Sequence, residues 1–70
     1  MSTRIFTFDT THHALWAEQI ALELLLGAQV IPAPAAANAK CSLALEVLDE
    51  DADSLRAALD EQGVVYRPFP

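Results

Sequence analysis

Apolar residues recur at every second position in some stretches of the chain and at every third or fourth in others. The changes of rhythm divide it into six elements. Arg4-Ile5-Phe6-Thr7-Phe8 is short and rich in β-branched and aromatic residues, and Phe6 and Phe8 stand two apart. That spacing predicts a strand with both rings on one face. Asp9, Thr10 and Thr11 then offer side-chain oxygens to cap a helix, which Glu18 carries on to Gly27. Gly27 occupies the place of a left-handed terminating residue. On this helix His13, Ala17, Ile20 and Leu24 share a face, flanked by Trp16 and Ala21, and form the expected core stripe. Leu15, Leu22 and Leu26 fall on another side, beside Glu18, Gln19 and Glu23. The helix is therefore apolar around more of its girth than one sheet covers. Two readings stand side by side: extra core contact, or a surface for a homodimer or a partner protein.

Ala28-Gln29-Val30-Ile31 predicts a short second strand stopped by Pro32 and Pro34. Proline lacks the donor that a central strand needs, so pairing ends there or continues only at an edge. The stretch from Pro32 to Lys40 is a loop of small residues without glycine, and so does not cradle phosphate. From Cys41 to Val47 the alternation is clean: Cys41, Leu43, Leu45 and Val47 on one face, Ser42, Ala44 and Glu46 on the other. Asp49, Glu50 and Asp51 supply caps and first-turn charges for a second helix. Its apolar stripe is Ala52, Leu55, Ala58 and Leu59, and Gly63 ends it. Val64 to Arg67 reads as a last strand and Pro68-Phe69-Pro70 as a tail. The order β-α-β-β-α-β predicts an α+β, ferredoxin-like fold, with two helices on one face of a four-stranded antiparallel sheet.

Seventy residues make one domain, 1–70. Such a core rarely supplies more than roughly 3–5 kcal/mol, which keeps self-association in view. At 53% hydrophobic residues the chain is too apolar for disorder. Ten carboxylates oppose four cations, Arg4, Lys40, Arg56 and Arg67, which are scattered. That balance argues against nucleic acid and against anionic membrane surfaces as partners. The most apolar region, Ile20 to Ile31, is interrupted by Glu23, Gly27 and Gln29 and does not span a bilayer. The N-terminus from Met1 runs into the first strand without the apolar stretch of a signal peptide. With a single unpaired thiol, the expected compartment is the cytoplasm.

That thiol, Cys41, is the side chain with distinctive covalent chemistry. The predicted topology brings Thr10, Thr11, His12 and His13 to the same end of the sheet as the loop and Cys41. A thiol near a helix N-terminus with histidine or lysine beside it is favoured as the nucleophilic thiolate. Lys40 adds a nearby cation, although neighbours in a strand point to opposite faces. Free cysteine is also among the most buried residue types, and inert packing is the commoner role. Adjacent histidines diverge by about 100° around a helix, so His12 and His13 do not bind one metal together. No metal and no cofactor is expected. A cysteine protease is not expected either, since it needs a base, an orienting group and an oxyanion hole around a cleft.

The residues resemble a known family. Phe8-Asp9-Thr10-Thr11-His12-His13-Ala14-Leu15-Trp16-Ala17-Glu18 is similar to a pattern of aromatic, acidic, Ser-Thr-His, then Ala-Leu-x-Ala-Glu. Ile31-Pro32-Ala33-Pro34 and Cys41-Ser42-Leu43-Ala44-Leu45 look like its Ile-Pro-x-Pro-Arg loop and Cys-Gly-x-Ala-Leu strand. The family is the selenium/sulfur carrier-like proteins, small bacterial domains of about this length. The resemblance implies a non-enzymatic carrier that holds sulfur or selenium on Cys41 as a persulfide or selenosulfide and relays it between partner proteins. It implies His12 as the neighbour of the thiol; Thr11, Pro32, Pro34, Lys40 and Ser42 are the further binding candidates expected around it. Two positions depart: Ala35 stands where the pattern has arginine, and Ser42 where it has glycine. The first removes a cation that would stabilise a persulfide anion; the second limits close backbone approach to Cys41. The alternative is a small interaction module working through the Leu15, Leu22 and Leu26 side of the first helix.

Overall fold

The computed structural model describes residues 2–69; Met1, and Pro70 of the expected tail, lie outside the described residues. The elements are β1 (Thr3–Thr7), α1 (Thr11–Glu23), β2 (Ala28–Pro32), a single 3-10 turn (Ala35–Ala37), β3 (Leu43–Leu48), α2 (Asp49–Gln62) and β4 (Arg67–Phe69). The sheet runs β2-β3-β1-β4 with every neighbouring pair antiparallel. Both helices lie against one face, where Phe6, Phe8, Leu45 and Val47 of the sheet side meet Ala14, Ala17, Ile20 and Ala21 of α1 and Ala52, Leu55 and Leu59 of α2. This is the expected ferredoxin-like α+β fold. Among the described residues no helix is long and apolar enough to cross a membrane.

The pairing follows from the alternation. Phe6 lies opposite Leu45, and Val30 opposite Leu45 on the other side, so the middle strand carries the centre of the core. Pro32 pairs with Leu43 at the end of β2, and β2 is an edge strand, which tolerates a residue without an amide proton.

Helix α1 departs from the expectation at its end and in its buried face. It stops at Glu23, not Gly27, and Leu25 rather than glycine takes the left-handed conformation, with φ 58°. The Leu25 amide donates to the Leu22 carbonyl and the Leu26 amide to the Ala21 carbonyl, the paired bonds of a Schellman termination. That motif wants an apolar contact from the residue after the left-handed one, and Leu26 supplies it by packing against the core. Leu26 therefore leaves the expected surface stripe, while Leu15 and Leu22 remain exposed at 49% and 56%. The buried face is turned by one residue: Ala14 replaces His13, and Leu24 is half exposed. Small alanines let the helix approach the sheet, and an imidazole would not fit there.

Helix α2 follows β3 directly. Its first residue is preceded by Leu48, which makes no side-chain capping bond; Asp49, Glu50 and Asp51 act as first-turn charges rather than as caps. Gly63 ends it with φ 78°, as expected, through the same pair of bonds, Gly63 to Asp60 and Val64 to Leu59. That termination also corrects the last strand. Val64 is drawn into the core, and pairing with β1 begins only at Arg67. Pro68, expected in a tail, lies in β4 opposite Phe6, again at an edge.

Candidate functional site

Thr10 fixes the start of α1. Its backbone is extended, its side-chain oxygen accepts the His13 amide at 3.2 Å, and its carbonyl accepts the Ala14 amide. The two amides between, of Thr11 and His12, belong to the helix end that has no intrahelical acceptors and carries the positive pole of the dipole. Cys41 is held at this end. Its amide donates to the Phe8 carbonyl at 3.2 Å, which ties residue 41 to the strand-to-helix turn. Its sulfur lies 3.7 Å from Thr11 Oγ1 and accepts the Leu43 amide at 3.3 Å. The sulfur thus has a backbone donor on one side and a hydroxyl on the other.

The remaining wall is the chain that leaves β2. Pro32 is exposed at the end of the strand, and Pro34, half buried, opens the 3-10 turn. The Ala33 amide donates to the Ser42 carbonyl at 2.8 Å, closing the loop onto the residue after the cysteine. Asn38 turns the loop in the left-handed conformation, with φ 52°. Ser42 is exposed and is not among the residues of positive φ, so serine takes this backbone without strain. Lys40 and Ala35 are exposed.

Thr11 and Cys41 are therefore brought together, with Ser42 and the prolines in the surrounding chain. His12 is exposed and forms no hydrogen bond to Cys41 among the described residues; its ring meets His13 and Trp16, with centroids 5.7 and 5.8 Å away. His13 has a structural contact of its own: its Nδ1 accepts the Val65 amide at 3.0 Å, fixing the turn that leads into β4. The sequence reading missed the Leu43 amide as a partner of the sulfur. Residue type carries no signal for a main-chain donor; only the geometry of the entry to β3 does.

Cys41 is 5% exposed and belongs to the core cluster. On α1, a shallow groove is lined by His12, Leu15, Trp16 and Gln19. Among the described residues no group of three or more His, Cys, Asp or Glu side chains is arranged to hold a metal ion.

Compared with known proteins, residues 3–69 match the family described as "Putative Se/S carrier protein-like". No curated protein and no solved structure matches the chain.

Proposed function

The chain belongs to the Se/S carrier protein-like family, and on that basis we propose that it is a non-enzymatic carrier of sulfur or selenium loaded on Cys41. The observation that carries the reading is the setting of the sulfur, between the Leu43 amide and the Thr11 hydroxyl at the start of α1. Donors placed around a sulfur atom stabilise negative charge on it. A carrier needs little more: a thiolate, somewhere to dock, and no cleft. Partner proteins that donate and accept the atom follow from this role, and a reducing cytoplasm suits its free thiol.

The chemistry balances without an outside oxidant. The Cys41 thiolate attacks the terminal sulfur of a donor persulfide. The donor's own S–S bond breaks, its cysteine leaves as a thiolate, and Cys41 becomes the persulfide. Delivery repeats the exchange with an acceptor thiolate. A selenium atom moves in the same way through a selenosulfide. Thr11, with the segment holding Pro32, Pro34, Lys40 and Ser42, frames the thiol. His12 stands one residue further along the helix, where it meets the partner rather than the sulfur.

Incubation with a cysteine desulfurase and free cysteine, followed by intact mass, tests the role. Wild-type protein is expected to gain one sulfur atom that a reductant removes, and Cys41→Ser to gain none while keeping its circular dichroism. Equal loading of the serine variant ends the proposal.

A second reading rests on the exposure of Leu15 and Leu22 on α1. As an interaction module the chain would pair with a second copy through this side, now without Leu26. Leu22→Glu should then convert a dimer to a monomer by light scattering; a monomer before and after the change rules out self-association there.

A further inference from the structure

Both helices lie against one face of the sheet, and the other face carries the alternate residues of the four strands. The ladder sets Ile31, Ala44, Thr7 and Arg67 side by side across that face, and Gln29, Glu46, Ile5 and Phe69 in the next row. We propose that a second copy of the chain packs on this open face, sheet against sheet across a two-fold axis. Ile5, Ile31 and Phe69 are half buried although neither helix lies over them, and Ala44, outside the core cluster, is buried. The polar members already have partners within the face. The Thr7 hydroxyl donates to the Arg67 carbonyl at 3.1 Å, and Glu46 accepts from Thr3 at 3.4 Å and from Gln29 at 3.3 Å. A surface whose polar groups are satisfied among themselves loses little when water leaves it.

Charge and shape select the occupant. Of the ten carboxylates, two are on α1 and six on α2, against a single cation on the helices, Arg56. Arg4 reaches Asp49 of α2, and Lys40 lies in the loop before Cys41. Two copies therefore repel one another through their helix layers. The open face is balanced instead: its strands hold one carboxylate, Glu46, and one cation, Arg67, which also meets Asp9 at 3.6 Å. The molecule is a slab, 28 × 27 Å across and 15 Å thick. Only a broad face offers the roughly 800 Å² per partner of a standard interface, and the other broad face is the acidic helix layer. The sheet edges are closed as well, because Pro32 in β2 and Pro68 in β4 leave each edge strand short of a donor. A basic foreign protein would be drawn to the helices. A flat, apolar and balanced face suits another of the same kind. The inference rests on the fold and its charges rather than on the carrier reading, and Cys41 belongs to the helix side of the sheet.

Sedimentation equilibrium of the full chain at submillimolar concentration is expected to give a mass approaching twice that of the chain, falling on dilution. Added salt should tighten the dimer, because it screens the repulsion between helix layers. Ile5→Lys and Ile31→Lys should each weaken it by about tenfold or more, and Leu22→Lys on α1 by no more than about twofold. Each lysine lowers the net charge of −6, so an effect of overall charge would tighten the dimer and has the opposite sign. Circular dichroism checks that the variants are folded. A reading on wild type needs no variant: the amide chemical shifts that move on dilution should be those of Ile5, Ile31 and Ala44, and not those of Leu15 and Leu22. A monomer at every concentration and salt overturns the proposal and leaves the face to a foreign protein. A dimer dissolved by salt, split by Leu22→Lys, or mapped by dilution to α1 overturns it equally. Sulfur loading of Cys41 is read separately, and none of these results bears on it.

Discussion

Thr11 is the residue on which the site's chemistry turns. Its neighbour Thr10 spends its side chain on the His13 amide, which leaves Thr11 Oγ1 free to lie against the Cys41 sulfur. Exchanging the hydroxyl for a methyl group of similar shape tests that contact without emptying space. A neutral hydrogen bond contributes about 0.5–1.5 kcal/mol, so Thr11→Val should slow the reaction of Cys41 with a small electrophile by roughly two- to tenfold. Because Thr11 is exposed, its urea midpoint should hardly move. An unchanged rate would assign the polarity of the site to the Leu43 amide alone. The position of Ser42 carries a related lesson. Glycine is expected there by resemblance, yet φ is not positive and the side chain faces solvent, so serine costs the backbone nothing.

The helix ends show how far elements can be read from residue types. Alternation located β1, β2 and β3 to within a residue or two, and the topology placed Thr11 beside Cys41 because α1 begins where β3 is entered. The end of α1 was not legible from Gly27, because termination is decided by where an apolar side chain can be buried. Leu26 packs on the core, which forces Leu25 into the left-handed conformation although glycine stands two residues later. The last strand was obscured for the same reason: Val64 is drawn inward by the end of α2, His13 claims the Val65 amide, and pairing shifts to Arg67–Phe69. At α2 the left-handed residue is Gly63, which takes it without strain; at α1 it is a leucine 91% exposed. A left-handed non-glycine residue costs roughly 1–2 kcal/mol, partly offset by the greater freedom of glycine in the unfolded chain. Leu25→Gly should therefore stabilise the protein by about 1 kcal/mol in a urea titration. A loss of stability would mean Leu25 makes packing contacts that its exposure conceals.

At the scale of the molecule, a small core must hold the thiol and still release it. Cys41 is buried in the core cluster, yet the chain around it is secured by few bonds, chiefly Ala33 to Ser42 and Cys41 to Phe8. Segments held in this way open locally, at a free energy well below that of global unfolding. The rest of the core, from Leu45 to Leu55 and Leu59, need not move. The carrier role requires this division, since a sulfur reached only by unfolding relays nothing. The most direct measurement is the rate of Cys41 alkylation by iodoacetamide as urea is raised from zero, read by intact mass beside the unfolding rate from circular dichroism. The account predicts labelling in the absence of urea that is much faster than unfolding and nearly independent of urea until the transition. Labelling that tracks global unfolding from the first addition of urea would make Cys41 a core residue and contradict it.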